Sequence, residues 1–458
     1  MQHVLWLRTV VHRLVRASRP AAAAALLLTY APTSGASVWE VFGFGPEGVA
    51  SVSAQAATAN DGTSVFYNPG GLAMGRGTQI ELSGTGMLSW LEAQGATQPI
   101  HDPAGGSLAV GSDVPLEGPL ANRLRVGFGA YALPSKLMRL QMRPGTDPFF
   151  PYYDNRTQRL TVIPAVAVRL ASWIGVGVGA NVLAGVSGPV DVREGQSRGL
   201  ETLLQQDVRT VAGWVAGLRV APVPGLDLAL AFRQRFGVPF HVITTANVAG
   251  VPLRVDVDTA EALYDPAVVV VAGAVQPSDR VRLELDGSWS RWSAWRGPLL
   301  SIDTTVSALS LASHSPEGLF RDTWAVRGAG HWWFAKSANA QLGTIAGAGY
   351  ETSMLDTSAR QGRTNFIDGP KLMVGAGTVA HFPGLIGRAL SLSVGAQWQR
   401  VAATVQDKQV CTSVPCAPDT LVGPDTDRPG EGISNPGYPT LRGHGGVFVL
   451  SVGARVEL

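Results

Sequence analysis

Phe448-Val449-Leu450-Ser451-Val452-Gly453-Ala454-Arg455-Val456-Glu457-Leu458 alternates between two kinds of residue without a break. On an extended strand Phe448, Leu450, Val452, Ala454, Val456 and Leu458 share one face, and Val449, Ser451, Gly453, Arg455 and Glu457 share the other. The first face suits lipid and the second a lumen. The same parity sets Leu124, Val126, Phe128 and Ala130 against Arg123, Arg125, Gly127 and Gly129. It also sets Val281, Leu283, Leu285 and Trp289 against Arg282, Glu284, Asp286 and Ser288.

Composition points to the same solvent. Mean hydropathy is +0.14 and only 15% of the 458 residues are charged, against about 25% in ordinary soluble domains. Part of the surface must therefore face something apolar. No stretch approaches the roughly 18 to 20 apolar residues that a spanning helix requires, and Ala267 to Val275 is among the longest runs. The remaining structure that pairs every backbone donor and acceptor within a bilayer is a closed β-barrel, whose strands need only about 9 to 11 residues. The 55 glycines suit many turns and close-packed strands. The expected fold is all-β, a transmembrane antiparallel barrel.

Strands are predicted near 78–90, 121–133, 159–171, 173–186, 206–220, 225–236, 267–275, 280–295, 323–335, 338–350, 370–382, 388–402 and 444–458. These are thirteen, and bacterial single-chain barrels have even counts. A fourteenth is expected in 239–257, with 299–311 as the rival position. The Pro/Gly-rich stretches 95–119, 134–157 and 407–440 read as long extracellular loops.

Ahead of this pattern, Arg8, Arg13, Arg16 and Arg19 precede the apolar run Ala21 to Leu28, and Ser34-Gly35-Ala36 supplies small residues for cleavage. Residues 1–36 are therefore read as a signal peptide in preference to a mitochondrial transit peptide, and the outer membrane of a Gram-negative-type bacterium is the expected location. In an oxidising compartment the closely spaced Cys411 and Cys416 suit a local disulfide, two unpaired loop thiols being the alternative. A formal net charge of +2, with no basic stripe, gives no footing for nucleic acid.

The segment before the first strand reads Ser37-Val38-Trp39-Glu40-Val41-Phe42-Gly43-Phe44-Gly45-Pro46 and closes with Asn60-Asp61-Gly62-Thr63-Ser64-Val65-Phe66-Tyr67-Asn68-Pro69-Gly70-Gly71-Leu72. It resembles the N-terminal hatch of the FadL-type outer-membrane transporters of fatty acids and aromatic hydrocarbons. Asp61 and Asn68-Pro69 match that family's pattern, whereas Gly70 replaces its usual alanine. Further matches are Ile163-Pro164-Ala165-Val166-Ala167, Ala231-Phe232-Arg233, Trp289-Ser290-Arg291-Trp292-Ser293-Ala294-Trp295 and Gly349-Tyr350-Glu351-Thr352-Ser353. The chain departs in ending on Leu458, where outer-membrane barrels commonly end in an aromatic residue.

The resemblance implies a monomeric fourteen-stranded barrel, 77–458, with a hatch, 37–76, inside its lumen. Hydrophobic ligands would be captured on the outer side and would leave through a gap in the wall near a strand kink. No cofactor, nucleotide or ion gradient is implied. The partners expected are the hydrophobic ligand, outer-membrane lipid and lipopolysaccharide, and the barrel assembly machinery.

Within the hatch, Asn68-Pro69-Gly70 places Pro second and Gly third in a turn, which suits type II. Phe42 and Phe44 lie between small residues, so they either touch ligand in the lumen or only pack against the wall. A fatty-acid carboxylate would need a cation, and Arg125 and Arg282 have lumen parity; an aromatic hydrocarbon needs none.

Catalytic motifs are weak. Gly43-Phe44-Gly45-Pro46-Glu47-Gly48 matches a dinucleotide fingerprint, but the downstream β pattern denies the alternating fold that it needs. The histidines lack metal-site spacing, and no nucleophile elbow appears. A hydrolase with an ordered Ser/His pair on its lipid face, a polar porin and a non-conducting structural barrel are the rival readings. The tryptophans are expected at the membrane boundaries.

Overall fold

The computed structural model describes residues 38–98, 100, 104–134, 148–153, 156, 160–187, 190–194, 200–204, 207–248, 251–304, 318–359, 365–384, 387–407 and 440–458. The alternating segments form fourteen antiparallel strands in a meander that closes on itself. In chain order the first seven are β1 (Gln79–Ser89), β2 (Ala104–Asp113), β3 (Leu124–Ala132), β4 (Thr161–Ala171), β5 (Ile174–Ser187), β6 (Asp207–Val223) and β7 (Leu226–Arg233). Then come β8 (Val268–Ser278), β9 (Val281–Ser290), β10 (Thr323–Lys336), β11 (Gln341–Glu351), β12 (Lys371–Phe382), β13 (Ala389–Asp407) and β14 (Thr440–Glu457). Strands β1 and β14 seal the ring, in register from Gln79↔Glu457 to Ser89↔Val447, so no edge is left for another chain to pair with.

The two faces differ as hydropathy requires. Leu82, Leu285, Val271, Leu230 and Val452 point outward and are 47% to 62% exposed, forming a belt suited to lipid. Their neighbours Ser83, Glu284, Asp286 and Ser451 are buried inside. Very short turns join strands at one end: Ser172-Trp173 between β4 and β5, Pro224-Gly225 between β6 and β7, and Asp279-Arg280 between β8 and β9. The other end carries long connections with structure of their own. Bacterial barrels keep short turns on the periplasmic side and long loops outside, so we call these ends inner and outer.

Two expectations need correction. The fourteenth strand is Ala104–Asp113, inside the stretch assigned to a loop, and it pairs with β1 and β3. Its small residues on both faces, such as Gly105, Gly106, Ser107 and Gly111, weaken the hydropathy alternation on which recognition depends. Residues 239–257 are extended, but in the hairpin Phe236–Val248 and Val251–Asp265. That hairpin belongs to a separate five-stranded sheet at the outer end, together with Val190–Glu194, Leu200–Leu204 and Leu300–Thr304. The described residues of both candidate segments lie in this sheet or beside it and not in the wall. The residues expected to form the signal, 1–36, and the Cys411–Cys416 loop lie outside the described residues.

The segment ahead of β1 folds inside the ring as four short helices: α1 (Trp39–Phe42), α2 (Gly45–Ala50), α3 (Ser64–Tyr67) and α4 (Pro69–Leu72). Helices this short are unstable alone, so packing must hold them. The barrel makes room with glycine. A Cβ on Gly395 of β13 would strike the Pro46 carbonyl in α2, and one on Gly177 of β5 would strike the Pro69 carbonyl in α4. Helix α2 lies against β11 to β14 and β1, while α4 lies against β3 to β6.

Candidate functional site

Two cavities lie in the lumen among the described residues, one on each side of the hatch. The outer one, about 60 Å³, has Trp39, Phe66 and Tyr67 of the hatch beneath it. Its walls include Val268 and Val270 of β8, Asp286 and Ser288 of β9, and Arg327 of β10. Tyr152, Arg156 and Trp292 complete it from the outer loops.

Three arginines reach this chamber, each with an acidic partner. Arg327 donates to Glu351 at 2.8 Å and to the Ser288 hydroxyl at 2.9 Å. Arg156 donates to Asp265 at 3.1 Å and lies over the Tyr152 and Trp292 rings, 4.9 and 5.0 Å from their centroids. Burial works against the Arg156 charge, but Asp265, Tyr152 and Glu40 outweigh it and hold the guanidinium above its usual range. Arg233 donates to the Phe66 carbonyl at 3.1 Å, sits 3.4 Å from Glu40 and covers the Phe66 ring at 4.6 Å. Burial likewise pushes the Tyr67 hydroxyl well above the ordinary phenol range; it accepts from Phe44 N at 2.7 Å and donates to Phe44 O at 3.1 Å. The chamber thus combines aromatic faces with neutralised cations.

Aromatic contacts continue above it. Tyr264 stacks on Trp295 at 5.6 Å between centroids, Trp295 meets Phe320 at 4.4 Å, Phe320 meets Phe366 at 5.9 Å, and Phe366 meets Phe149 at 5.1 Å. Rings from several separate loop segments therefore cap the outer mouth as one cluster.

The inner cavity, about 240 Å³, is polar. Glu47, Gln55 and Asp61 of the hatch face Arg282 and Glu284 of β9 and His331 of β10 across it. Arg455 of β14 ties this end together: it bonds to Asp61, to Glu47 at 3.1 Å, and lies 3.6 Å from Glu81.

The residues singled out from sequence do not converge on one place. Phe42 stacks on Tyr153 at 6.4 Å and Phe44 on Trp39 at 3.7 Å; both are buried, and neither lines the outer chamber. Arg125 is buried at the inner end, 3.4 Å from Asp113 and donating to Gly77 O at 3.0 Å. Arg282 lines the inner cavity and donates to Gln276 at 3.4 Å. Asp61 receives the Thr63 N–H at 2.9 Å as well as Arg455. Asn68-Pro69-Gly70 is not a type II turn. Asn68 is the N-cap of α4, with Pro69 in its first turn, and its Oδ1 accepts from Gly70 N at 3.0 Å. Pro at that position removes a donor that no helical carbonyl would have met, which is why the sequence accommodates a helix start there. Asn68 Nδ2 also donates to Ala56 O at 2.9 Å and Leu218 O at 3.1 Å, tying the hatch to β6.

Sequence reasoning missed Tyr152, Arg156 and Arg327, assigned no role to Phe66 or Arg233, and expected Trp39 and Trp292 with the other tryptophans at the membrane boundaries, whereas both are buried and line the outer chamber. Inward parity could have identified Arg327, whereas the loop residues carry no periodic signal. A Ser/His contact is present, His381 Nδ1 to Ser391 Oγ at 2.9 Å. It faces the lumen, since Ser391 is 3% exposed beside the outward Leu392. This is therefore not the Ser/His pair on the lipid face that the hydrolase reading expected.

No family model matches the sequence, and no curated protein matches it either. Solved structures do match in fold. The crystal structure of a Pseudomonas aeruginosa FadL homologue aligns over 93% of this chain and 98% of its own, with a TM-score of 0.56 and 12% identity. The P. putida toluene transporter TodX aligns over 91% of this chain and 99% of its own, TM-score 0.53, 11% identity. The Ralstonia pickettii toluene transporter TbuX aligns over 92% and 100%, TM-score 0.52, 14% identity. The architecture is that of a transmembrane β-barrel with an internal N-terminal segment. Within that class, the fold is the FadL-type transporter fold.

Proposed function

We propose that this protein lies in the bacterial outer membrane, exported by residues 1–36, and admits small hydrophobic or amphipathic compounds passively, as a monomer without a cofactor. The observation that carries this reading is the filled lumen, with an aromatic-lined chamber above the hatch under an aromatic cap. Barrels of about eight strands are already filled by their own side chains, and larger ones enclose space. Here the hatch occupies that space, which disfavours a polar porin with an open aqueous pore. Rings offer apolar contact to a ligand arriving from outside, and the paired arginines tolerate a polar substituent. The titles of the matching structures, a FadL homologue and two toluene transporters, support this reading at the level of the fold.

The test is uptake of labelled toluene and oleate by cells lacking their own transporter, with surface expression measured in parallel. Faster entry of either compound than in empty-vector cells is the expected result. Entry of small sugars or ions, with neither hydrophobic compound accelerated, would replace this reading with a polar porin.

A further inference from the structure

Strands β13 and β14 are the longest in the wall, 19 and 18 residues, whereas about 9 to 11 suffice to cross a bilayer. Their outer ends therefore stand clear of the apolar belt. That belt is formed here by Leu392, Val394 and Trp398 on β13 and by Leu450 and Val452 on β14, all pointing outward. The same outward parity, followed beyond the belt, brings Arg400 on β13 and then His444 and Arg442 on β14 to the outside, each exposed.

Trp90, the residue after β1, marks the depth at which the belt gives way to these charges. Its N–H donates to Gly446 O at 3.0 Å, and its indole lies over Gly446, where a Cβ would come within 3.0 Å of the ring. Indole rings settle at the boundary between acyl chains and water. Gly446 is the register partner of Arg400, so the arginine rises beside this ring. His444 is the diagonal neighbour of Arg400, with backbones about 7–8 Å apart. Arg442 follows two residues further out and is held from both sides of its peptide. Gln94 N donates to Arg442 O at 2.9 Å, Arg442 N donates to Gln94 Oε1 at 3.2 Å, and Gln94 Nε2 donates to Thr440 O at 2.6 Å.

The charges on this face do not balance. Of its carboxylates, Glu92 lies 3.6 Å from His444 Nε2, and Asp407 accepts from Thr440 Oγ1 at 2.7 Å. Among the described residues none forms an ion pair with Arg400 or Arg442, whereas Arg156, Arg233, Arg327 and Arg455 in the lumen each have an acidic partner. Two cations without an acid, fixed just above an indole and an apolar belt, are complementary to a lipid whose phosphates sit directly above its acyl chains.

We propose that this face of β13 and β14 is a binding site for the phosphorylated glycolipid of the outer leaflet, lipopolysaccharide. Arg400 and Arg442 hold its phosphates, each guanidinium being able to offer two parallel bonds. Trp90 lies at the level where sugar meets acyl chain, and the chains run over Leu392, Val394, Leu450 and Val452. The site rests on the outer-membrane placement proposed above and is independent of the cargo.

The test titrates purified full-length protein in detergent with diphosphorylated lipid A and reads the bound fraction by native mass spectrometry. Arg400→Gln with Arg442→Gln should weaken binding at least fivefold, and wild-type protein should bind dephosphorylated lipid A at least fivefold less well than the diphosphorylated form. Arg280→Gln, in the exposed turn at the inner end, should leave binding unchanged. Equal binding by wild type and the double variant, or equal weakening by Arg280→Gln, would overturn the site. Displacement of lipid A by millimolar inorganic phosphate would replace the glycolipid with a free anion and overturn it as well. If lipid A binding is untouched by the double variant while toluene still enters cells, only this site falls; recovery of the protein outside the outer-membrane fraction would remove the placement and the site together.

Discussion

Arg455 bonds to Asp61 and Glu47 and lies close to Glu81, so one guanidinium separates three carboxylates in the lumen. Removing one partner of a buried ion pair costs about 3–5 kcal/mol, chiefly by stranding the other charges. Arg455→Ala should therefore lower the temperature at which the folded band is lost on a gel, and should open residues 38–78 to added protease. Asn68 is a second such position, with one cap bond and two donated bonds. Asn68→Ala leaves those groups unsatisfied, and about 1–3 kcal/mol of stability should be lost in urea titration. Asn68→Asp should not recover it, since its buried carboxylate still caps Gly70 but sets an anion against the Ala56 and Leu218 carbonyl oxygens. Asp61 and Asn68 stood out in the sequence through the hatch motif, yet their roles did not. Their partners on the barrel wall lie 394 and 150 residues away, beyond the reach of any local pattern.

At the scale of the element, the same residue type does opposite things on opposite faces. A Cβ at Gly395 would collide with the backbone of α2, while one at Gly84, on the lipid side of β1, meets nothing within 4 Å. Gly395→Leu should displace the hatch yet leave the barrel formed, seen as added conductance in planar bilayers. Gly84→Ala should change neither conductance nor stability beyond about 0.5 kcal/mol. This contrast also explains what was legible. Strands such as β9 and β14 place large apolar residues on the lipid face and polar ones inside, so parity identified them. Strand β2 is small on its inner face because the hatch lies against it, where a Cβ on Gly111 would meet Leu72 and the Asp61–Gly62 backbone, and with Ala104 and Gly106 outward only Leu108 and Val110 remain to mark its lipid face, so it read as a loop. The described part of the 239–257 segment alternates in a different setting, since it pairs within an outer sheet and not in the wall. Alternation reports a two-faced strand, and does not say which solvents the faces meet.

For the whole molecule, the bilayer is one of the solvents that set stability. Leu285 is 61% exposed at mid-strand, opposite Gly328, whereas Trp332 is 53% exposed near the inner rim, opposite Val281. Leu285→Arg should cost about 2–4 kcal/mol and Trp332→Arg about 0–1 kcal/mol, because the penalty for charge falls toward the interface. Urea unfolding in lipid vesicles distinguishes the two, and equal costs would mean that the belt has been placed at the wrong depth. The outer chamber belongs to this scale as well. It is assembled from hatch, wall and outer loops, so inward parity could find Arg327 singly but not the ring of residues that it joins.

The hatch enters the chain before β1 and is gripped by Arg455 on β14, the last strand to be made. A ring already zipped at β1 and β14 could receive this segment only by threading, so the hatch has to be seated before the seam shuts. Closure is then also the moment at which the contents of the lumen become permanent, and the speed of the final zipping sets how long a misplaced hatch has to find its seat. Because the contacts that complete it span almost the whole chain, this step is expected to be slow. A protein lacking residues 38–76 should seal sooner and stay hollow, which pulse-labelled assembly into liposomes would time.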